Sequence, residues 1–182
     1  MYEVEVKLRA DHAAVRSTLD DIDTEDLGTV TQTDDYYNHP TRDFAETDEA
    51  LRIRREINQE ERGKLTYKGP LVESASKTRK ELETGVDDAE TMASILTALD
   101  FDQVATVRKT RERYSLDGFT VSLDEIDGIG TFVEVETTAP ESAIEAERDR
   151  AYDLLRLLGL DPSDQIRASY LEMVLEREYN PR

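Results

Sequence analysis

Tyr2-Glu3-Val4-Glu5-Val6-Lys7-Leu8-Arg9 opens the chain with apolar and charged residues in strict alternation. Period 2 marks a strand with two unlike faces. Tyr2, Val4, Val6 and Leu8 fall on one face, and Glu3, Glu5, Lys7 and Arg9 on the other. The same alternation recurs downstream. Leu51 and Ile53 interleave with Arg52 and Arg54, and Leu65 and Tyr67 with Lys64, Thr66 and Lys68. Thr78, Lys80 and Leu82 oppose Lys77, Arg79, Glu81 and Glu83. Residues 103–116 bring Lys109, Arg111 and Arg113 to one face, and Asp117-Gly118 is a strong hairpin signal. Phe119, Val121 and Leu123 then oppose Ser122 and Asp124, and Val133 and Val135 oppose Phe132, Glu134 and Glu136. With a further strand at 29–38 the count is about eight, antiparallel because the connections are short.

Helices fill the gaps. Asp11 caps a first one to about Asp20, and Asp87 with Glu90 opens another to about Leu99. Pro140 starts a long helix to Leu158 that Gly159 ends, and a last helix is expected from about Ser163 to Glu178. No repeat or linker divides the 182 residues, so one domain, 1–182, is expected.

Composition narrows the function. Asp and Glu total 42 against 23 Lys and Arg, a net charge of −19. A surface of that sign repels a phosphate backbone, which argues against nucleic acid as a partner. The excess acid, with lysine scarce, fits a protein adapted to high salt. There is no cysteine, and the two histidines, His12 and His39, stand apart, so thiolate and histidine-built metal sites are excluded. No apolar run is long enough to span a membrane, and the opening strand has no signal-peptide character. A cytoplasmic location is expected; a homodimer is compatible with these features.

The charges sort by strand. Arg52, Arg54, Lys64, Lys68, Lys109, Arg111 and Arg113 lie on central strands, while the first and last strands are acidic. Pattern alone leaves two readings: a solvated sheet face with cross-strand ion pairs, or a sheet closed around a charged cavity. In the second, cations meet an anionic ligand and carboxylates meet the metal that accompanies it. Glycine-rich phosphate loops and a nucleophile elbow are missing, so side chains would do the binding.

Glu3-x-Glu5-x-Lys7 is similar to the E-x-E-x-K motif opening the CYTH superfamily, the class IV adenylyl cyclases and thiamine triphosphatases. The resemblance continues in order along the chain. It runs through Asp34-x-Tyr36-Tyr37, Leu51-Arg52-Ile53-Arg54, Leu65-Thr66-Tyr67-Lys68 and Arg79-x-Glu81-x-Glu83. It then takes in Lys109-x-Arg111, Asp124, Glu134-Val135-Glu136 and Ser169-Tyr170-Leu171, the last resembling the cyclase-like branch. The resemblance implies an α+β fold: an eight-stranded antiparallel closed barrel, the triphosphate tunnel, with flanking helices. It implies a triphosphate clamp of Lys7, Arg52, Arg54, Lys68, Arg79, Lys109 and Arg111, with Lys7, Arg54 and Lys109 catalytic. It also implies Mg²⁺ or Mn²⁺ held by Glu3, Glu5, Asp124, Glu134 and Glu136. The implied partner is a triphosphate-containing small molecule. ATP cyclisation to cyclic AMP and pyrophosphate leads the readings. Hydrolysis of inorganic, thiamine or nucleoside triphosphate follows, then non-catalytic polyphosphate or nucleotide binding.

Overall fold

A computed structural model describes residues 1–72 and 76–179. Its strands are β1 (Tyr2–Arg9), β2 (Glu25–Asn38), β3 (Ala50–Ile57), β4 (Glu61–Leu71), β5 (Lys77–Val86), β6 (Asp102–Leu116), β7 (Phe119–Ile126) and β8 (Gly130–Ala139). They close into one antiparallel barrel in the order β1-β5-β4-β3-β2-β6-β7-β8. The chain's first strand therefore seals the barrel, pairing with β8 along its length and with β5 over Tyr2–Glu5. Five helices lie outside: α1 (His12–Asp21), α2 (Phe44–Thr47), α3 (Ala89–Ala98), α4 (Ile144–Leu157) and α5 (Tyr170–Tyr179).

Small barrels ordinarily fill their interior with apolar side chains. This one is turned inside out, because the apolar face of each strand points away from the lumen and needs cover. Helices α1 and α4 supply it: Val15, Leu19, Leu154 and Leu155, with Leu158 just after α4, pack on Val6, Leu8, Val121, Leu123, Val133 and Val135. Helix α3 covers Ile53 and Tyr37 with Leu96. Burying this surface favours closure of the sheet, at about 25 cal/mol per Å² of apolar area removed from water. The charged faces are thereby forced inward.

Several boundaries differ from the sequence reading. Strand β2 starts at Glu25, not 29; Gly28, at φ +85°, absorbs a bulge where the register skips between Asp26 and Gly28. Asp88 rather than Asp87 caps α3, accepting from the Thr91 N–H at 2.8 Å. A 3₁₀ turn, Glu141–Ala143, separates Pro140 from α4. The helix expected over 163–178 is the largest departure. Pro162–Asp164 forms a 3₁₀ turn, and α5 begins only at Tyr170. Between them Ile166 N–H donates to Lys7 C=O at 2.7 Å. That carbonyl lies beyond the end of the β5 ladder, so the intervening segment satisfies it instead of coiling. Short α2 was not anticipated at all.

Candidate active site

The lumen holds a cavity of about 740 Å³, walled by charged side chains from β1, β3, β4, β5, β6 and β8. One corner is anionic. Glu5 and Glu136 are cross-strand partners, and Glu3 is two residues along β1. Carboxylate oxygens of Glu3, Glu5 and Glu136 lie within 4.8 Å of one another, the spacing at which three ligands can share one ion. Their environment is that of an incomplete site. Glu5 Oε1 is buried without a hydrogen-bond partner; its nearest cations are Lys7 at 3.9 Å and Lys77 at 4.0 Å. Burial, then the charges of Glu3, Glu134 and Glu5, push the Glu136 carboxyl up to about 7 despite Arg111. A hard divalent cation, which takes oxygen ligands, would relieve both problems. These three residues therefore fit the implied metal.

The remaining walls carry lysines and arginines interspersed with further carboxylates, among them Glu81, Glu83 and Glu134. Arg52 and Arg54 come from β3, Lys68 from β4, Lys77 and Arg79 from β5, Lys7 from β1, and Lys109 and Arg111 from β6. Most have a carboxylate partner, as buried charges must. Lys68 reaches Glu3 at 2.5 Å and Glu81 at 2.7 Å; burial would lower its pKa, but Glu3 and Glu81 hold it above the ordinary lysine range. Arg79 turns to the wall, donating to the Asp48 and Gly69 carbonyls and pairing with Asp48 at 3.2 Å. Lys7 lies 3.8 Å from Glu134 and 4.1 Å from the centre of the Tyr170 ring. Two lysines are under-compensated. Burial, then Arg111 and Arg54, bring Lys109 down to about 7, with Asp124 and Asp34 offsetting part of the shift. Burial with Lys7 and Arg79 brings Lys77 to about 8, against Glu5 and Glu134.

Every residue expected at the clamp lines this cavity, Arg79 with its guanidinium turned to the wall, but the expected metal carboxylates divide. Glu134 lies on the lumen yet is taken up by a short contact with Arg111, and its carboxyl is held well below the ordinary range: burial opposes this, but Arg111, Lys7 and Lys109 outweigh it. Asp124 does not line the cavity. Fully buried, it accepts from Arg111 Nε at 2.6 Å and Nη2 at 2.5 Å, and from the Tyr170 hydroxyl at 2.9 Å. Glu134 and Asp124 thus stand outside the three-carboxylate corner. The physical reason is the register: Arg111 sits opposite Asp124 on β7, and Glu134 lies one strand further.

Sequence reasoning gave no site role to Lys77, although its alternation with Arg79 already placed both on one face. It also left Tyr170 without a role. Helix α5 delivers that ring to the barrel end, where it packs on Phe132 and faces Lys7 and Lys109. The Ser169-Tyr170-Leu171 motif singles the residue out without showing where it docks, because a tail's docking site is set by distant strands.

A model of the CYTH domain matches residues 1–170. A Methanocaldococcus jannaschii protein named as a candidate adenylate cyclase is 36% identical over 178 residues, 95% of this chain and 98% of its own. Among solved structures, a Pyrococcus horikoshii protein superposes with a TM-score of 0.89 at 38% identity, over 96% of this chain and 99% of that one. A Hippeastrum protein, described as a candidate adenylyl cyclase with a dominant triphosphatase activity, has a TM-score of 0.70 at 20% identity, over 99% and 97% of the two chains. At that identity the likeness is one of fold. Among the described residues no helix is long and apolar enough to cross a membrane.

Proposed function

The chain belongs to the CYTH family, and on that premise we propose that it is a metal-dependent enzyme breaking a phosphoanhydride bond of a triphosphate, with ATP cyclisation as the reaction. The observation that carries this reading is one barrel cavity in which three carboxylates cluster at a corner and many lysines and arginines line the other walls among further carboxylates. A polyanion needs the second feature, and the divalent cation that accompanies a nucleotide needs the first. The name of the Methanocaldococcus relative supports cyclisation over hydrolysis.

Glu3, Glu5 and Glu136 would hold Mg²⁺ or Mn²⁺; the chemistry such an ion supplies is Lewis-acid polarisation of phosphoryl oxygens and an easier deprotonation of a nearby hydroxyl. The chain's own contribution is electrostatic. Arg52, Arg54, Lys109 and Arg111 bind and align the phosphates, and Lys7 and Lys68 bridge towards the acidic corner. In cyclisation the ribose 3′ oxygen attacks the α-phosphorus, its proton passes to solvent, the bond from the α-phosphorus to the α–β bridging oxygen breaks, and pyrophosphate leaves. Charge accumulates on the departing phosphates, where preorganised cations lower the barrier most. Most of these cations are buried in the barrel wall, where a charge interaction is stronger than in bulk water.

The test is product analysis. The protein is incubated with Mg²⁺ or Mn²⁺ and either ATP or tripolyphosphate, and cyclic AMP, pyrophosphate and orthophosphate are resolved. Cyclic AMP with pyrophosphate is expected. Orthophosphate without cyclic AMP assigns a hydrolase, and no product from either substrate overturns the enzymatic reading.

A further inference from the structure

Asp34, in the middle of β2, has entered no step so far. Its carboxylate is 1% exposed and grips Arg54 side-on: Nε donates to Oδ1 and Nη2 to Oδ2, each at 2.6 Å. Arg52 Nη1 donates to the same Oδ2 at 3.4 Å. On a different strand pair, β6 and β7, Asp124 holds Arg111 through the same atoms, Nε to Oδ1 and Nη2 to Oδ2. One arrangement has been built twice. In both cases the arginine lines the cavity while the aspartate does not, so the carboxylate stands behind the guanidinium. Among the described residues, Nη1 of Arg54 and of Arg111 has no hydrogen-bond partner.

A guanidinium is a rigid planar fork on a flexible stem. Fastening its Nε–Nη2 edge to a buried carboxylate fixes the plane and leaves Nη1 for a ligand. The aspartates also carry a cost for binding, because each puts a negative charge beside a cation meant for phosphate. Ground-state attraction alone would be better served without them. What they supply is orientation, and orientation matters most in the transition state, where a donor about 1 Å out of place costs about a hundredfold.

We propose that Asp34 and Asp124 are positioning residues that aim Arg54 and Arg111 at the phosphate chain, and that Asp124 is not a metal ligand. The assignment rests on the triphosphate reading above. It predicts a specific signature for Asp34→Asn and Asp124→Asn. An asparagine keeps the volume but can accept from only one nitrogen of the fork, so the guanidinium swings. The value of kcat should fall about tenfold to a hundredfold, while KM stays near or below that of the wild type because an opposing charge has gone. The Mn²⁺ activation constant should not move.

The experiment measures kcat, KM and the Mn²⁺ activation constant, using whichever of ATP or tripolyphosphate the wild type turns over. Assays run well below the melting temperature of each variant, with fold checked by circular dichroism. A wild type that turns over neither compound defeats the triphosphate reading itself and is recognised before any variant is made. Given an active wild type, a folded variant whose kcat falls less than about tenfold overturns the positioning role. A purely structural role would lower the melting temperature and leave kcat alone. A raised Mn²⁺ activation constant in Asp124→Asn makes that residue a ligand and also overturns the proposal. If Asp34→Asn does not fold, Asp124→Asn carries the test; failure of both to fold makes the aspartates folding residues and ends the proposal.

Discussion

Replacing Lys109 by Met should weaken tripolyphosphate binding by an amount that depends on pH. The side chain is 3% exposed and faces Arg111, Arg54, Asp34 and Asp124, with the Tyr170 ring centre 5.0 Å from its ammonium. Burial first, then the two arginines, bring it to about 7, because the aspartates compensate only in part. An incoming polyanion favours the ammonium, so binding above pH 7 draws a proton from solution. With a pKa of about 7, Lys109 is about nine-tenths neutral at pH 8, and binding there takes up about 0.9 proton on its account. The affinity that its charge contributes is fully present below pH 7 and is lost as pH rises through 7. From pH 7 to pH 9 the advantage of wild type over Lys109→Met should shrink about fiftyfold. Metal-free calorimetric titration in two buffers of different ionisation enthalpy gives both affinity and proton uptake. Lys77, brought to about 8, titrates in both proteins and cancels in the difference, as does the ligand's own titration. Equal proton uptake by the two proteins at pH 8 would refute the reasoning: Lys109 would then be charged already, or would not meet the anion.

Glu136→Gln should weaken Mn²⁺ binding at least about tenfold by removing an anionic oxygen from a hard-cation site, as titration calorimetry can measure. The same change should raise the melting temperature of the metal-free protein above pH 7. The wild-type carboxyl, pushed up to about 7, is forced to ionise there beside Glu3 and Glu5, so its share of stability is lost as pH rises through that value. A lower melting temperature would contradict this account. Tripolyphosphate with Mg²⁺ at a hundredfold excess over Kd should stabilise the wild type by about 2.7 kcal/mol. The double variant Arg52→Ala/Arg54→Ala should lose that increment in a thermal-shift series while keeping the stabilisation that molar KCl gives the acidic exterior. Arg9→Ala should leave turnover unchanged. Arg9 stacks on Phe132 and donates to Ile129 C=O at the barrel's outer end, whereas Lys7, two residues earlier, lines the cavity. Equal losses from Arg9→Ala and Lys7→Ala would mean that the β1 register is misassigned.

Much of the fold was legible because alternation along a strand is a local property. Glu3, Glu5 and Lys7 point one way whatever β1 pairs with, and so do Arg52 and Arg54 on β3. Less legible were features set by competition between local and distant partners. Asp87 has the residue type for a cap, but Asp88 is placed to reach the Thr91 N–H. Residues 165–169 could continue a helix; they stay outside one because Ile166 caps the free Lys7 carbonyl and Tyr170 seats against Phe132. The site divided in the same way. Its charged strands were visible in the pattern, with Glu3, Glu5 and Glu136 among the expected carboxylates; that Asp124 and Glu134 fall outside their corner was not.

The sequence by itself determined which face of each strand is charged, and so that closing the sheet with its apolar side under helices would bury lysines, arginines and glutamates in one lumen. It also carried the ordered motifs by which the family is known. Only the tertiary structure decided who neighbours whom inside. Pairing β1 with β8 set Glu5 against Glu136 with Glu3 close by, and pairing β6 with β7 gave Asp124 to Arg111 and kept it out of the three-carboxylate corner. Period 2 specifies a side chain's face and says nothing of its partner across the ladder. That partner follows from register and strand order, which are fixed when the whole barrel closes and every buried charge must find its counter-charge at once.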